Sequence, residues 1–187
     1  MRRLLKRPVI SLLAALARAV LRRYRPTIIA VAGSVGKTTT REAIFTVLHG
    51  SAMVWEAHGS LNSEFGTPLA IFGIREAPAG AGGWLKAAGR GFGLLARRHA
   101  YPEILVLEFG EDHPGDIAWL TRLAPPTVGV VTGIAAAHLS YLKSVDAITA
   151  EMRALVTAVP EDGFVVLNAD DPRVAGLAVD AVAPVAL

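Results

Sequence analysis

"IIAVAGSVGKTTTREAI", residues Ile28 to Ile44, decides the fold. A short, β-rich apolar run from Thr27 to Ala32 enters a loop that holds Gly33, Gly36, Lys37 and three threonines. Helical spacing then runs from Thr38 to Leu48. A strand–loop–helix unit of this kind turns backbone N–H groups into the loop, and the helix N-terminus adds positive potential; together they bind phosphate. Gly33 and Gly36 let the backbone approach an anion with no Cβ in the way. Gly33, Ser34, Val35, Gly36, Lys37, Thr38 and Thr39 are therefore the candidate nucleotide contacts. Lys37 suits the β- and γ-phosphates of ATP, and the Thr38 hydroxyl suits Mg²⁺. The eight-residue form of this loop has glycine where this chain has Val31, so the match is to a shorter form, G-S-x-G-K-T.

Outward from the loop, strands and helices alternate. Met53 to Ala57 reads as a short strand, and "GSLNSEFGTPLAIFGI" as a loop that becomes helical near Pro68. Glu103 to Gly110, Thr127 to Ile134 and Gly163 to Asp171 read as further strands, the last ending in a polar turn. Asp116 to Leu123 and Val145 to Val159 read as helices. Residues 77 to 100, rich in Gly, Ala and Arg, read as an insertion or a loose amphipathic helix. The alternation predicts an α/β fold with a mostly parallel sheet flanked by helices. Ligands of such sheets bind beyond the carboxyl ends of the strands. The polar residues expected there are Gly33 to Thr39, Glu108, His138 and the Asn168 to Asp171 turn.

The chain has 187 residues, 52% of them hydrophobic, enough for one domain with a substantial core. It has no cysteine, which excludes disulfide frameworks and Cys-ligated metals and fits a reducing compartment. The net charge of +3 conceals an asymmetry. Residues 1 to 25 hold eight basic side chains and no acid, leaving 11 of the 19 basic residues to set against all 16 acids. The body is thus mildly acidic, and nucleic acid is not an expected partner.

The basic arm, residues 1 to 26, has an uncharged run only from Pro8 to Ala17, about half the roughly 20 residues of a membrane span. A signal peptide is set aside because a phosphate loop follows almost at once and ATP chemistry belongs in the cytoplasm. The spacing of Leu12, Leu13, Leu16, Val20 and Leu21 predicts an amphipathic helix, with Pro8 in its first turn and Pro26 beyond its end. Its stripe either packs on the domain, spanning 27 to 187, or lies peripherally on the anionic inner face of a membrane.

Five segments in order resemble the Mur ligase family. They are "AGSVGKTTTREAI", "SLNSEFGTPLAI", "LVLEFGEDHPGDI", "VVTGIAAAHLSYLKSVDAI" and "VPEDGFVVLNADDPRV", between Ala32 and Val174. They are most similar to the member that adds D-alanyl-D-alanine. The resemblance implies the P-loop NTPase-like central domain of an ATP-dependent carboxylate–amine ligase of peptidoglycan-precursor synthesis. Its reaction proceeds through an acyl phosphate, joining a dipeptide to a UDP-MurNAc-peptide. It implies that Lys37 and His138 are catalytic, that Thr38, Glu108 and His138 hold metal, and that Asn62 lies near the substrate. Asn168, Asp170 and Asp171 are expected to form an Asx-type turn instead.

The chain also departs from the family. The UDP-binding N-terminal domain and the amino-substrate C-terminal domain are missing, so a C-terminally truncated fragment or split-gene product is expected. Such a sheet would leave an edge and apolar surface exposed. Met152 falls where many members carry a metal-supporting lysine, and Lys143 is the nearest alternative. Three other readings compete: a different Mur-like ligase of the folylpolyglutamate or cyanophycin type, a partitioning ATPase or signal-recognition GTPase, and a non-catalytic nucleotide-binding scaffold.

Overall fold

The computed structural model describes residues 3–59, 61–135 and 144–187. In chain order the elements are α1 (Arg3–Tyr24), β1 (Thr27–Ala32), α2 (Lys37–Leu48), β2 (Val54–Glu56), α3 (Gly66–Ile71), α4 (Gly80–Ala96) and β3 (Ile104–Glu108). Then come α5 (Asp116–Leu123), β4 (Val128–Val131), α6 (Val145–Val156), β5 (Phe164–Leu167), α7 (Pro172–Ala175), a 3₁₀ turn (Gly176–Asp180) and β6 (Val185–Ala186). The strands form one sheet in the order β2-β3-β1-β4-β5-β6. Every pairing is parallel. The expected α/β architecture with a mostly parallel sheet is the one observed, and all carboxyl ends of the strands point the same way.

Strand alternation sorts the core into two faces. Ile28, Ala30, Ala32, Leu105, Leu107, Val131, Val165 and Leu167 join the larger cluster with α1, α3, α5 and α6. Ile29, Val31, Val54, Val106 and Val130 form the smaller one, closed by Ile44, Phe45 and Leu48 of α2. On β5 the alternate residues are left open, Phe164 at 41% and Val166 at 37% exposure.

The amphipathic arm is a helix, and it packs on the domain. Leu13, Leu16, Ala17, Val20 and Leu21 are buried in the main core. Leu12, expected in that stripe, is 47% exposed, because the buried face is centred one residue on. Pro8 lies in the sixth position of α1, beyond the first turn. It removes one backbone hydrogen bond close to the helix start. Residues 77 to 100, expected to be an insertion or a loose amphipathic helix, hold the 17-residue helix Gly80–Ala96, which is packed and not loose. Its Ala87, Gly91 and Leu94 are buried, and Arg90 Nε donates to Phe72 O at 2.9 Å. A Cβ at Gly91 would stand 3.0 Å from the Phe72 ring, so glycine there permits close packing that outweighs its low helix propensity.

Candidate functional site

The site forms where β1, β3 and β4 end. β1 delivers residues 33 to 36, and α2 begins at Lys37. Gly36, with φ of 81°, caps the helix in the left-handed region and contributes no side-chain cap. The first-turn N–H groups are therefore left for a ligand, and no acid lies in that turn. Gly33 has φ of 140°, and a Cβ there would lie 2.2 Å from Thr132 Oγ1, so no other residue fits. Ser34 N donates to Gly133 O at 2.8 Å, and Thr132 Oγ1 donates to Val35 O at 2.6 Å. The end of β4 thus braces the loop. Ser34 Oγ is buried with no hydrogen-bond partner, a donor that a phosphate oxygen would satisfy. Val35 and Thr39 stay exposed.

Two carboxylates from the end of β3 meet the start of α2. Glu108 is 4% exposed. Its Oε2 accepts from Thr38 Oγ1 at 3.0 Å and from Arg41 Nη1 at 3.4 Å. Its Oε1 accepts from Asn62 Nδ2 at 3.1 Å. This arrangement follows from register, since Val31 pairs with Glu108 across β1 and β3. Three residues on, buried Glu111 takes both its oxygens to 3.1 Å of Lys37 Nζ. Lys37 Nζ also donates to Gly33 O. Arg41, 2% exposed, continues the network one turn along α2. Its Nε lies 3.3 Å from Glu56 Oε2, near enough for charge attraction but without an aligned hydrogen bond.

Lys37, Thr38, Glu108 and Asn62, all named from the sequence, therefore stand together. His138 and Lys143 lie outside the described residues. Met152 is wholly buried in the main core and presents no oxygen there. Its neighbour Glu151 instead accepts from Gly115 N at 2.6 Å and Ile117 N at 3.0 Å, capping the start of α5. The sequence reading missed Arg41, Glu111, Glu56 and Thr132. Arg41 had a signal, its i+4 spacing from Lys37; Glu111 and Glu56 had none without the strand pairing.

The last polar segment is an Asx turn, with Asp170 N donating to Asn168 Oδ1 at 3.0 Å. Asn168 Nδ2 also reaches Thr132 O at 2.8 Å. Asp171 accepts from Ile134 N at 2.7 Å and from Arg173 N at 3.0 Å. Partial burial pushes the Asp171 carboxyl up. The N–H groups of Ile134, Arg173 and Val174, with the Arg173 charge, outweigh that and hold it below its ordinary value.

Chemically the cluster sets two cations, Lys37 and Arg41, against three largely buried carboxylates, Glu56, Glu108 and Glu111. A polyphosphate would add more negative charge, so a divalent cation is needed for balance. Thr38 Oγ1 and Glu108 Oε2 are hard oxygens 3.0 Å apart, a donor set that fits Mg²⁺. Among the described residues no group of three or more His, Asp or Glu forms a metal cage. Mg²⁺ commonly needs none, because it keeps waters and phosphate oxygens as ligands.

Residues 31–183 match the family model for the Mur ligase middle domain. The UDP-N-acetylmuramoyl-tripeptide–D-alanyl-D-alanine ligase of Mycobacterium tuberculosis is 38% identical over 152 residues, 81% of this chain and 25% of that protein. The chain therefore spans about a quarter of that relative's length. The crystal structure of MurF ligase from Thermotoga maritima in complex with ADP superposes with a TM-score of 0.74. It is 30% identical, covering 94% of this chain and 35% of that one. Escherichia coli FolC in complex with DHPP and ADP shares the fold, with a TM-score of 0.58 at 20% identity, covering 95% of this chain and 45% of that one.

Proposed function

The chain belongs to the Mur ligase family, by its middle domain, and from that premise we propose that it is the ATP- and Mg²⁺-binding core of an ATP-dependent carboxylate–amine ligase. The reaction is the addition of D-Ala-D-Ala to UDP-MurNAc-tripeptide in peptidoglycan-precursor synthesis. A substrate carboxylate oxygen attacks the γ-phosphorus of ATP and ADP leaves. The amine then attacks the acyl carbon, releasing phosphate and a proton. Residues 27–187 form the catalytic core, residues 1–26 are a basic arm, and α1 of that arm packs on the core. The compartment is the cytoplasm, where ATP is available.

The observation that carries this reading is the convergence of Lys37, Thr38, Asn62 and Glu108 at the strand ends. Lys37 is the cation for the β- and γ-phosphates, held in place by Gly33 O and Glu111. Thr38 and Glu108 would hold Mg²⁺, whose chemistry is to neutralise charge on the transferring phosphoryl oxygens. Asn62 orients Glu108 from the other oxygen and borders the space for substrate. Arg41 fixes the Glu108 carboxylate from behind. His138 is assigned to the metal and substrate side on the family resemblance. Glu111 must yield Lys37 when phosphate enters.

The test is phosphate release from ATP by the 187-residue chain. Release that requires both UDP-MurNAc-tripeptide and D-Ala-D-Ala supports the ligase. ATP bound by the folded chain with no release is what a core covering about a quarter of its relative's length gives alone, whereas a folded chain that binds no MgATP would contradict the reading. Peripheral contact with a membrane through residues 1–25 is a separate proposal, independent of ligation.

A further inference from the structure

We propose that the cleft between α1 and α5 takes the phosphate headgroup of an anionic lipid, and that α1 and α4 form the face by which the protein lies on an anionic bilayer. This deepens the peripheral-contact proposal, extending it from one helix to a built site.

The first observation is charge segregation produced by folding. Residues 1–25 and 77–100 are far apart in sequence, yet α1 and α4 pack together, with Tyr24 OH donating to Leu94 O at 2.9 Å. These two segments hold 12 of the 19 basic side chains and none of the 16 acids. The rest of the chain has 7 basic residues against those 16 acids. Two helices that carry no acid are thus packed side by side while the rest of the chain is acidic on balance, which orients the protein towards an anionic surface. The same helices expose Leu12 at 47%, Leu85 at 75% and Phe92 at 55%, side chains able to enter the headgroup boundary. No described helix is long and apolar enough to cross a membrane, so the contact would be peripheral.

The second observation is the cleft. It measures about 380 Å³ and lies between α1 and α5. Arg18 and Arg22, one turn apart on α1, and Arg122 of α5 line it, over Leu21, Ile28 and Leu123. All three arginines are exposed, and none has an ion-pair partner among the described residues. Guanidinium forks match phosphate oxygens in pairs. The apolar floor would go unused by free phosphate, and suits the glycerol and acyl start of a lipid.

The test is co-sedimentation of the whole chain with phosphatidylglycerol vesicles and, separately, with phosphatidylcholine vesicles. The chain is expected to bind the first and not the second, and to be released by salt but not by millimolar inorganic phosphate. Arg18→Ala/Arg22→Ala/Arg122→Ala is expected to lower partitioning on the order of 1,000-fold, the loss of three charges plus the paired guanidinium–phosphate bonds. Its circular dichroism and MgATP binding should be unchanged. Lys86→Ala/Arg97→Ala/Arg98→Ala removes as much charge outside the cleft and is expected to cost on the order of 100-fold, the share of non-specific charge alone. Equal loss in the two triple variants would overturn the cleft while leaving the helix-only proposal standing. No binding to phosphatidylglycerol, or equal binding to phosphatidylcholine, would overturn both, and neither result bears on ligation.

Discussion

The carboxyl ends of β1 and β3 and those of β4 and β5 carry equally polar residues and use them differently. At β1 and β3 the polar groups bond one another: Glu108 collects Thr38, Arg41 and Asn62, and Glu111 takes Lys37. At β4 and β5 they bond backbone: Thr132 holds Val35 O, Asn168 holds Thr132 O, and Asp171 holds Ile134 N. The second pattern is scaffolding, since each bond ties the backbone of one segment to the side chain of another. The first is poor scaffolding. A buried ion-pair network contributes little net stability over an apolar packing of the same volume. Its presence beside a phosphate loop is explained by charge held ready for a ligand.

Breaking the charged network from within should do the most damage. Arg41→Ala strands Glu108 and Glu56 with no guanidinium, and a loss of about 3–5 kcal/mol in urea unfolding is expected. If the loss is only that of a surface residue, the network is not coupled as described. Glu111→Gln sharpens the contrast in the opposite direction. It keeps the side chain's shape but frees Lys37 from a competing carboxylate, so ATP affinity in calorimetry should rise about tenfold. Weaker ATP binding in that variant would mean that Glu111 assists phosphate rather than competing with it.

On the scaffold side, effects should be smaller and fall on stability first. Thr132→Val removes the hydroxyl that holds Val35 O, and about 1 kcal/mol is expected from thermal unfolding. A modest loss of ATP affinity should accompany it as the loop slackens. Asp171→Asn keeps a capping oxygen but removes the charge that favours the α7 N-terminus and the bonds from Ile134 N and Arg173 N, and a loss of about 0.5–1 kcal/mol is expected. Because the native carboxyl is held below its ordinary value of 3.8, its contribution is full above that pH. It is lost as pH falls through the lowered native value. The wild-type and Asp171→Asn unfolding curves should therefore differ at neutral pH and converge in acid.

How much of this was legible depended on how local the signal was. The loop from Gly33 to Thr39 was readable as the link between a strand and a helix because its glycines fall in one consecutive stretch between an apolar run and a helical one. Glu108 was readable as the polar residue closing an apolar run. Glu111 and Glu56 were not, because their partners are chosen by the register of β1, β2 and β3, which no single segment encodes. The six glycines of α4 argued against an ordered helix by propensity. Packing on α1 and Phe72 decided otherwise. Leu12 misled because five apolar residues matched helical spacing, and only the neighbouring elements select which of them face inwards.

The most direct test of the central claim, that the β1–β3 end is a nucleotide–magnesium site, is a calorimetric titration of ATP into the chain with and without Mg²⁺, beside Lys37→Ala. The expected result is Mg²⁺-dependent binding that falls on the order of 100-fold in the variant while its circular dichroism stays native. A folded Lys37→Ala chain that binds ATP as tightly as the unaltered one would contradict the claim.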